Sequence, residues 1–247
     1  MEVYLTIDRG NTAIKAAIWG PDGTLLRNNV SFDGTSAADL ARALLAEGER
    51  IKSVGYCSVV SSARSADLEG LSALGATVLN VDGRTPLPMR ICYTGVDTLG
   101  ADRIAAAAGA MAYAAGRAVL VADIGTAVTY DFVDAAGRYL GGNIAPGISM
   151  RLHALHAHTS ALPSVDPKGY APVWGSTTEQ ALRSGTLRGV AAELEYYRRR
   201  AGEDAVLVLT GGSVPILAGA HVFDFEYIHD PCLVHRGLYS ILRYNER

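Results

Sequence analysis

The sequence predicts a two-lobed α/β protein with a mixed five-stranded sheet flanked by helices in each lobe. Two observations carry this prediction. Asp8-Arg9-Gly10-Asn11-Thr12 ends the apolar run Val3–Ile7, and Asp123-Ile124-Gly125-Thr126 ends the run Ala118–Ala122 about half a chain later. The order of elements around the first turn also returns around the second, so the repeat is architectural. Either turn alone is also how an ordinary hairpin ends. The pair places one lobe at 1–115 and a second at 116–247, with the C-terminal helix free to pack back on the first.

Residues 3–7, 13–19 and 24–32 read as a three-stranded meander, with Pro21-Asp22-Gly23 turning between the last two strands. A helix follows over 36–48, with Leu40, Leu44 and Leu45 on one face. Ser53–Val60 reads as a buried strand, 63–74 as a helix and Thr77–Val81 as a further strand. One meander followed by alternating units makes a mixed sheet with helices on its faces. After the passage Pro86 to Pro88 and Tyr93, an Ala-rich helix spans 101–115. The meander returns from Val119, with Asp134-Ala135-Ala136-Gly137 in the place of Pro21-Asp22-Gly23. Gly141–Gly147 reads as a glycine-rich connection leading to a helix near His153. A helix over 176–200, a strand Ala205–Thr210, a helix to 219, a strand at 225–228 and a C-terminal helix complete the second lobe.

Composition narrows the function classes. Of 247 residues 49% are hydrophobic and only 7% aromatic, which suits close-packed α/β layers and argues against disorder. The net charge of −3, without a basic block, offers no electrostatic footprint for nucleic acid. Arg198-Arg199-Arg200 reads as the end of a helix, where cations complement the dipole. No stretch approaches about 20 apolar residues, and a strand begins at once, so neither a membrane span nor a signal peptide is expected. Cys57, Cys92 and Cys232 are scattered and lack metal spacing, which favours core packing in a reduced, cytoplasmic setting. His153, His156 and His158 do not share one helical face and read as packing or partly exposed residues.

Phosphate chemistry fits the turns. Gly10 admits close backbone approach, Asn11 and Thr12 offer donors, and Lys15 supplies a point charge. Lys15 also reads, less well, as a solvated strand lysine. Asp8 can hold Mg²⁺ directly or through water, since that ion keeps several waters and takes few carboxylates. Asp102 and Arg103 head the Ala-rich helix: a carboxylate able to accept a proton and a fork that matches carboxylate or phosphate. Both also read as plain helix-start residues. Thr210-Gly211-Gly212, between a strand and a helix, offers backbone to a nucleotide. The absence of G-x-x-x-x-G-K-[ST], and of G-x-G-x-x-G after a strand, disfavours P-loop and dinucleotide folds.

Taken in order, these segments resemble the type III pantothenate kinases, also called the Bvg accessory factor family, of the actin-like ATPase and sugar-kinase superfamily with its ribonuclease H-like fold. The resemblance rests on Asp8-x-Gly10-Asn11-Thr12-x-x-Lys15, Tyr93 with Gly100-x-Asp102-Arg103, and Asp123-x-Gly125-Thr126-Ala127. Further on it includes Gly141-Gly142-x-Ile144-x-Pro146-Gly147, Gly175-x-x-Thr178, Ser184-Gly185, Thr210-Gly211-Gly212 and Leu233-x-x-x-Gly237-Leu238. It implies ATP-dependent phosphorylation of pantothenate, the first step of coenzyme A synthesis, with ATP bound between the lobes. It implies ATP contacts by Asp8, Arg9, Gly10, Asn11, Thr12, Ala13, Ile14, Lys15 and Thr126, with Asp102 as proton acceptor. Tyr93, Gly100, Ala101, Asp102, Arg103 and Thr178 would line the pantothenate site, and Asp123 would ligate a monovalent cation, K⁺ or NH₄⁺, required beside Mg²⁺. A homodimer is implied as well.

Arg9 departs from the small or branched apolar residue usual there, and it either helps hold phosphate or pairs elsewhere. Thr177 beside Thr178 leaves the substrate threonine ambiguous by one position. Rival readings are a kinase of the same superfamily acting on another small hydroxylated substrate, a non-catalytic ATP-binding regulator, and an actin-like filament protein.

Overall fold

The computed structural model describes residues 1–32 and 34–246, which divide into two compact units. The first comprises Met1–Ala112 and Cys232–Arg247, the second Tyr113–Pro231. The division falls three residues before the expected lobe boundary, and the C-terminal helix counts with the first unit.

In the first unit β1 (Glu2–Arg9), β2 (Ile14–Trp19) and β3 (Leu25–Ser31) form the antiparallel meander. After α1 (Ala37–Leu44), β4 (Arg50–Ser58) pairs parallel to β1. Beyond α2 (Ser61–Ser72), β5 (Thr77–Asn80) adds to β4, giving the order β3-β2-β1-β4-β5. The two-residue strand β6 (Arg90–Ile91) and a single 3₁₀ turn at Val96–Thr98 lead into α3 (Ala101–Ala114). α1 is shorter than the expected 36–48: Leu45 turns extended, and the Leu44 carbonyl accepts from Arg27 Nε at 2.9 Å.

β1 is buried on both faces, so it reads as a continuous apolar run instead of an alternating one. Val3, Leu5 and Ile7 pack with Leu40, Leu44 and Leu71 from α1 and α2. Tyr4 points the other way, with Trp19 and Leu242, and Thr6 shares that face through hydrogen bonds with Trp19 Nε1 (2.9 Å) and His235 Nδ1 (3.0 Å). Leu242 and His235 belong to the C-terminal helix (Leu233–Asn245). That helix crosses α3 with almost no side chain between them: a Cβ on Gly237 would lie 1.7 Å from the Ala105 carbonyl oxygen, and one on Gly109 would lie 2.3 Å from that of Leu233. The run Ala105–Ala108, at most 2% exposed, is the surface that this close approach requires.

In the second unit β7 (Val119–Ile124), β8 (Ala127–Val133) and β9 (Arg138–Pro146) repeat the meander. α4 (Ile148–Ala157) and α5 (Thr178–Ala201) follow, then β10 (Val206–Thr210), α6 (Val214–Gly219) and β11 (Ile228–His229); the C-terminal helix of the first unit is α7. The strands of this unit run β11-β10-β7-β8-β9, with β10 parallel to both β7 and β11. Its core gathers Leu120, Ile124, Tyr130, Ile148, Leu187, Leu194 and Leu209. Tyr130 and Arg151 both donate to Glu193, at 2.8 and 2.7 Å, tying β8 and α4 to α5.

Two expectations are corrected here. Residues 141–146 are the second half of β9, in register with β8 from Phe132↔Gly141 to Ala127↔Pro146, and not a connection. The final strand is the two-residue β11 at Ile228–His229, in place of 225–228.

Candidate active site

Strand alternation sorts the first turn. Consecutive side chains of a strand leave on opposite faces, so Asp8 follows Tyr4 and Thr6, whereas Arg9 follows Ile7 toward α2. Asp8 is 5% exposed and lies opposite Lys15 on β2 and Cys57 on β4. Lys15 Nζ stands 3.6 Å from Asp8 Oδ2, and the Cys57 thiol donates to Oδ1 at 3.5 Å. Burial pushes the Asp8 carboxyl above its ordinary value; Lys15 pulls it down, and the charge of Asp102 pushes it up again. Burial first, and then Asp8 and Asp102, push the Cys57 thiol well up, so it stays a neutral donor. The sequence reading treated Cys57 as core packing. Its place at the carboxyl end of a buried strand beside β1 was the available signal.

The turn itself is closed by the Gly10 amide donating to the Ala13 carbonyl at 3.0 Å, and it leaves Asn11 and Thr12 exposed. Ile14 is buried at the start of β2 and belongs to the core. Arg9 is turned away: its guanidinium grips Asp67 of α2 and donates to the Thr35 carbonyl at 3.2 Å. Of the two readings open for its side chain, Arg9 takes the pairing elsewhere, because alternation sends this residue to the face opposite Asp8. Its backbone remains part of the turn.

Asp102 is the second residue of α3, where the positive end of the helix dipole favours a carboxylate, and its Oδ1 accepts from the Arg103 amide at 2.9 Å. Ala101 and Arg103 are buried, at 9% and 7% exposure. Tyr93 is half-buried on the loop before the 3₁₀ turn that leads to Gly100. Asp8, Lys15 and Asp102 thus belong to one charged neighbourhood of the first unit.

In the second unit β7 and β8 reproduce the turn, with the Gly125 amide donating to the Ala127 carbonyl at 3.0 Å and Thr126 exposed. Asp123 lies in register with Thr210 of β10. The next residue, Gly211, has φ +95°, and a Cβ there would come 2.4 Å from Asp123 Oδ1 and 2.6 Å from the Ile124 carbonyl oxygen. Only glycine lets the backbone pass this close to both oxygens, and the Ile124 carbonyl accepts from the Ser213 amide at 3.0 Å. At the start of α5 the two threonines part company. Thr177 is the N-cap, its hydroxyl accepting from the Gln180 amide at 3.2 Å, whereas Thr178 is exposed in the first turn. Among the described residues no three His, Cys, Asp or Glu side chains gather to hold a metal. One carboxylate together with phosphate oxygens is nevertheless a normal Mg²⁺ environment.

A family model described as type III pantothenate kinase matches residues 4–200. The type III pantothenate kinase of Porphyromonas gingivalis is 38% identical over 99% of this chain and 100% of its own. That of Bacteroides fragilis is 35% identical over 98% of each. Among solved structures, a conserved Baf family protein from Campylobacter jejuni is similar with TM-score 0.65 at 23% identity over 98% of both chains. The activator of 2-hydroxyisocaproyl-CoA dehydratase from Clostridium difficile, with bound ADPNP, reaches TM-score 0.56 at 16% identity over 99% of this chain and 96% of its own. At such identities the solved structures speak for the fold alone, the duplicated actin-like ATPase architecture expected from the sequence.

Proposed function

The chain belongs to the type III pantothenate kinases, and from this premise we propose the roles its residues take in phosphorylating pantothenate with ATP to 4′-phosphopantothenate, the first step of coenzyme A biosynthesis. The observation that carries the assignment of roles is the burial of Asp8 beside Lys15, within the electrostatic reach of Asp102. A carboxylate desolvated this way and met by one lysine at 3.6 Å fits a site completed by a cation and phosphate.

Residues Asp8–Lys15 receive the ATP phosphates: Gly10, Asn11 and Ala13 through the turn backbone, Thr12 by its hydroxyl and Lys15 by charge. Asp8 holds Mg²⁺ directly or through water. Held there, the ion would supply positive charge against the negative charge that develops in phosphoryl transfer. Thr126 adds a contact to ATP. Asp102 takes the proton of the attacking pantothenate hydroxyl, a task suited to a carboxylate at a helix N-terminus. Arg103 meets the pantothenate carboxylate with its fork, and Tyr93, Gly100, Ala101 and Thr178 line the remainder. Thr178 is preferred to Thr177 because the Thr177 hydroxyl caps α5. Asp123 ligates K⁺ or NH₄⁺ at the carboxyl end of β7, where Gly211 lets the backbone after β10 pass close to it. The enzyme works in the cytoplasm as a homodimer. No described helix is long and apolar enough to cross a membrane.

An ADP-release assay with ATP, Mg²⁺ and pantothenate, run with K⁺ and again with Na⁺ alone, tests this reading. Turnover that requires both pantothenate and K⁺ is expected. ATP binding without pantothenate-dependent turnover would reject the substrate, and equal rates in Na⁺ would remove Asp123 from its role.

A further inference from the structure

β1 delivers Asp8 and Arg9 to opposite faces, and the second face carries an arrangement with no part in the chemistry above. There the Arg9 guanidinium forks onto Asp67, a carboxylate 4% exposed in the middle of α2, with one arm at 2.8 Å. The same carboxylate accepts from the Tyr56 hydroxyl of β4 at 2.9 Å and from the Ala37 amide at the start of α1 at 3.2 Å. Arg9 donates in addition to the Thr35 carbonyl at 3.2 Å, and its own carbonyl accepts from the Val59 amide at 3.1 Å. The residue that opens the phosphate-binding turn is therefore clamped through side chain and backbone by three other segments of the first unit, at Asp67, Thr35 and Val59.

We propose that Asp67 is a positioning residue for this turn: acting through Arg9, it holds Gly10–Ala13 in the phosphate-receiving conformation before ATP arrives. A carboxylate serving only to anchor α2 to α1 would need the Ala37 amide and the Tyr56 hydroxyl. A bidentate fork from the residue next to Asp8 adds a geometric constraint on the turn. A turn ordered in advance does not lose its freedom on binding, so the clamp acts on nucleotide affinity and leaves the chemical step alone. The inference rests on the kinase reading, since it takes 8–15 as the ATP phosphate segment.

The test compares Asp67→Asn, Arg9→Met, the double variant and Arg9→Lys in the full chain. Calorimetric binding of MgADP and steady-state kinetics are the readouts. Each of the first two variants should weaken MgADP and raise KM for ATP about tenfold, with kcat and KM for pantothenate little changed. The double variant should be no worse than either single one, because both remove one contact. Should Asp67→Asn fail to fold, Arg9→Lys decides, since it keeps the charge and loses the fork. Variants that melt earlier yet bind MgADP like the wild type, or effects that add, would overturn the proposal. A wild-type chain that binds no nucleotide would remove the kinase reading itself, a result distinct from unchanged affinity in the variants.

Discussion

Burial holds the Asp8 carboxyl above its ordinary 3.8, so ionising it costs the folded protein when no cation is bound. For a carboxyl raised in this way, the stabilising contribution is complete below the unfolded value and is lost as pH rises through the folded one. Asp8→Asn should therefore raise the melting temperature of the ligand-free protein at pH 7, by about 2–4 °C per kcal/mol gained, and abolish turnover. At pH values below 3.8 the gain should vanish; a lower melting temperature at pH 7 would contradict the argument. Asp102→Asn should slow kcat by roughly 10²–10⁴-fold, the usual worth of a general base, while calorimetry finds MgADP binding intact. The neighbouring threonines should separate cleanly. Thr177→Ala removes a helix cap and should cost about 1 kcal/mol of stability, whereas Thr178→Ala should raise KM for pantothenate at unchanged melting temperature. At this scale the sequence marked the residues proposed for phosphate chemistry, because Asp, Gly, Thr and Lys have few other reasons to crowd a strand end. The partner of Arg9 was hidden, since Asp67 lies 58 positions away and is an ordinary helical aspartate to any local pattern. Alternation alone, applied to β1, already separates Arg9 from Asp8.

Among the elements, α3 and α7 meet backbone to backbone, and their depth is set by the missing side chains of Gly109 and Gly237. Gly237→Ala should force the helices apart and cost about 1–3 kcal/mol, the range for overpacked cores. Because α3 begins with the Asp102 segment, the same variant should lower kcat as well. A variant with wild-type denaturation midpoint and turnover would show the crossing to be slack. The meanders, the helices and their order were legible through apolar periodicity and the turn signals between strands. The second half of β9 was not, since Gly141, Gly142 and Pro146 carry loop chemistry by composition, and only the β8 partner makes them a strand. The two-residue β11 has no period to detect.

For the whole molecule the division is discontinuous in sequence: residues 232–247 close a unit begun by 1–112, with all of 113–231 between them. Buried Leu242 and His235 of α7 complete the face of β1 that carries Tyr4 and Thr6. Removing residues 232–247 should accordingly strip hydrogen-exchange protection from β1 and β4 and leave that of β7 and β10 largely in place. Uniform loss across both sheets, or none, would refute this division of stability. The sequence showed two lobes because the turn motif recurs, and it left the return of α7 open because an amphipathic helix does not announce which sheet it covers. The order of synthesis follows from this layout. On the ribosome the second unit has all of its residues in hand while the first still lacks a helix, so the later-made half is free to fold first. β1 then waits, with one face uncovered, until residues 232–247 have emerged, an interval in which a chaperone has apolar surface to hold.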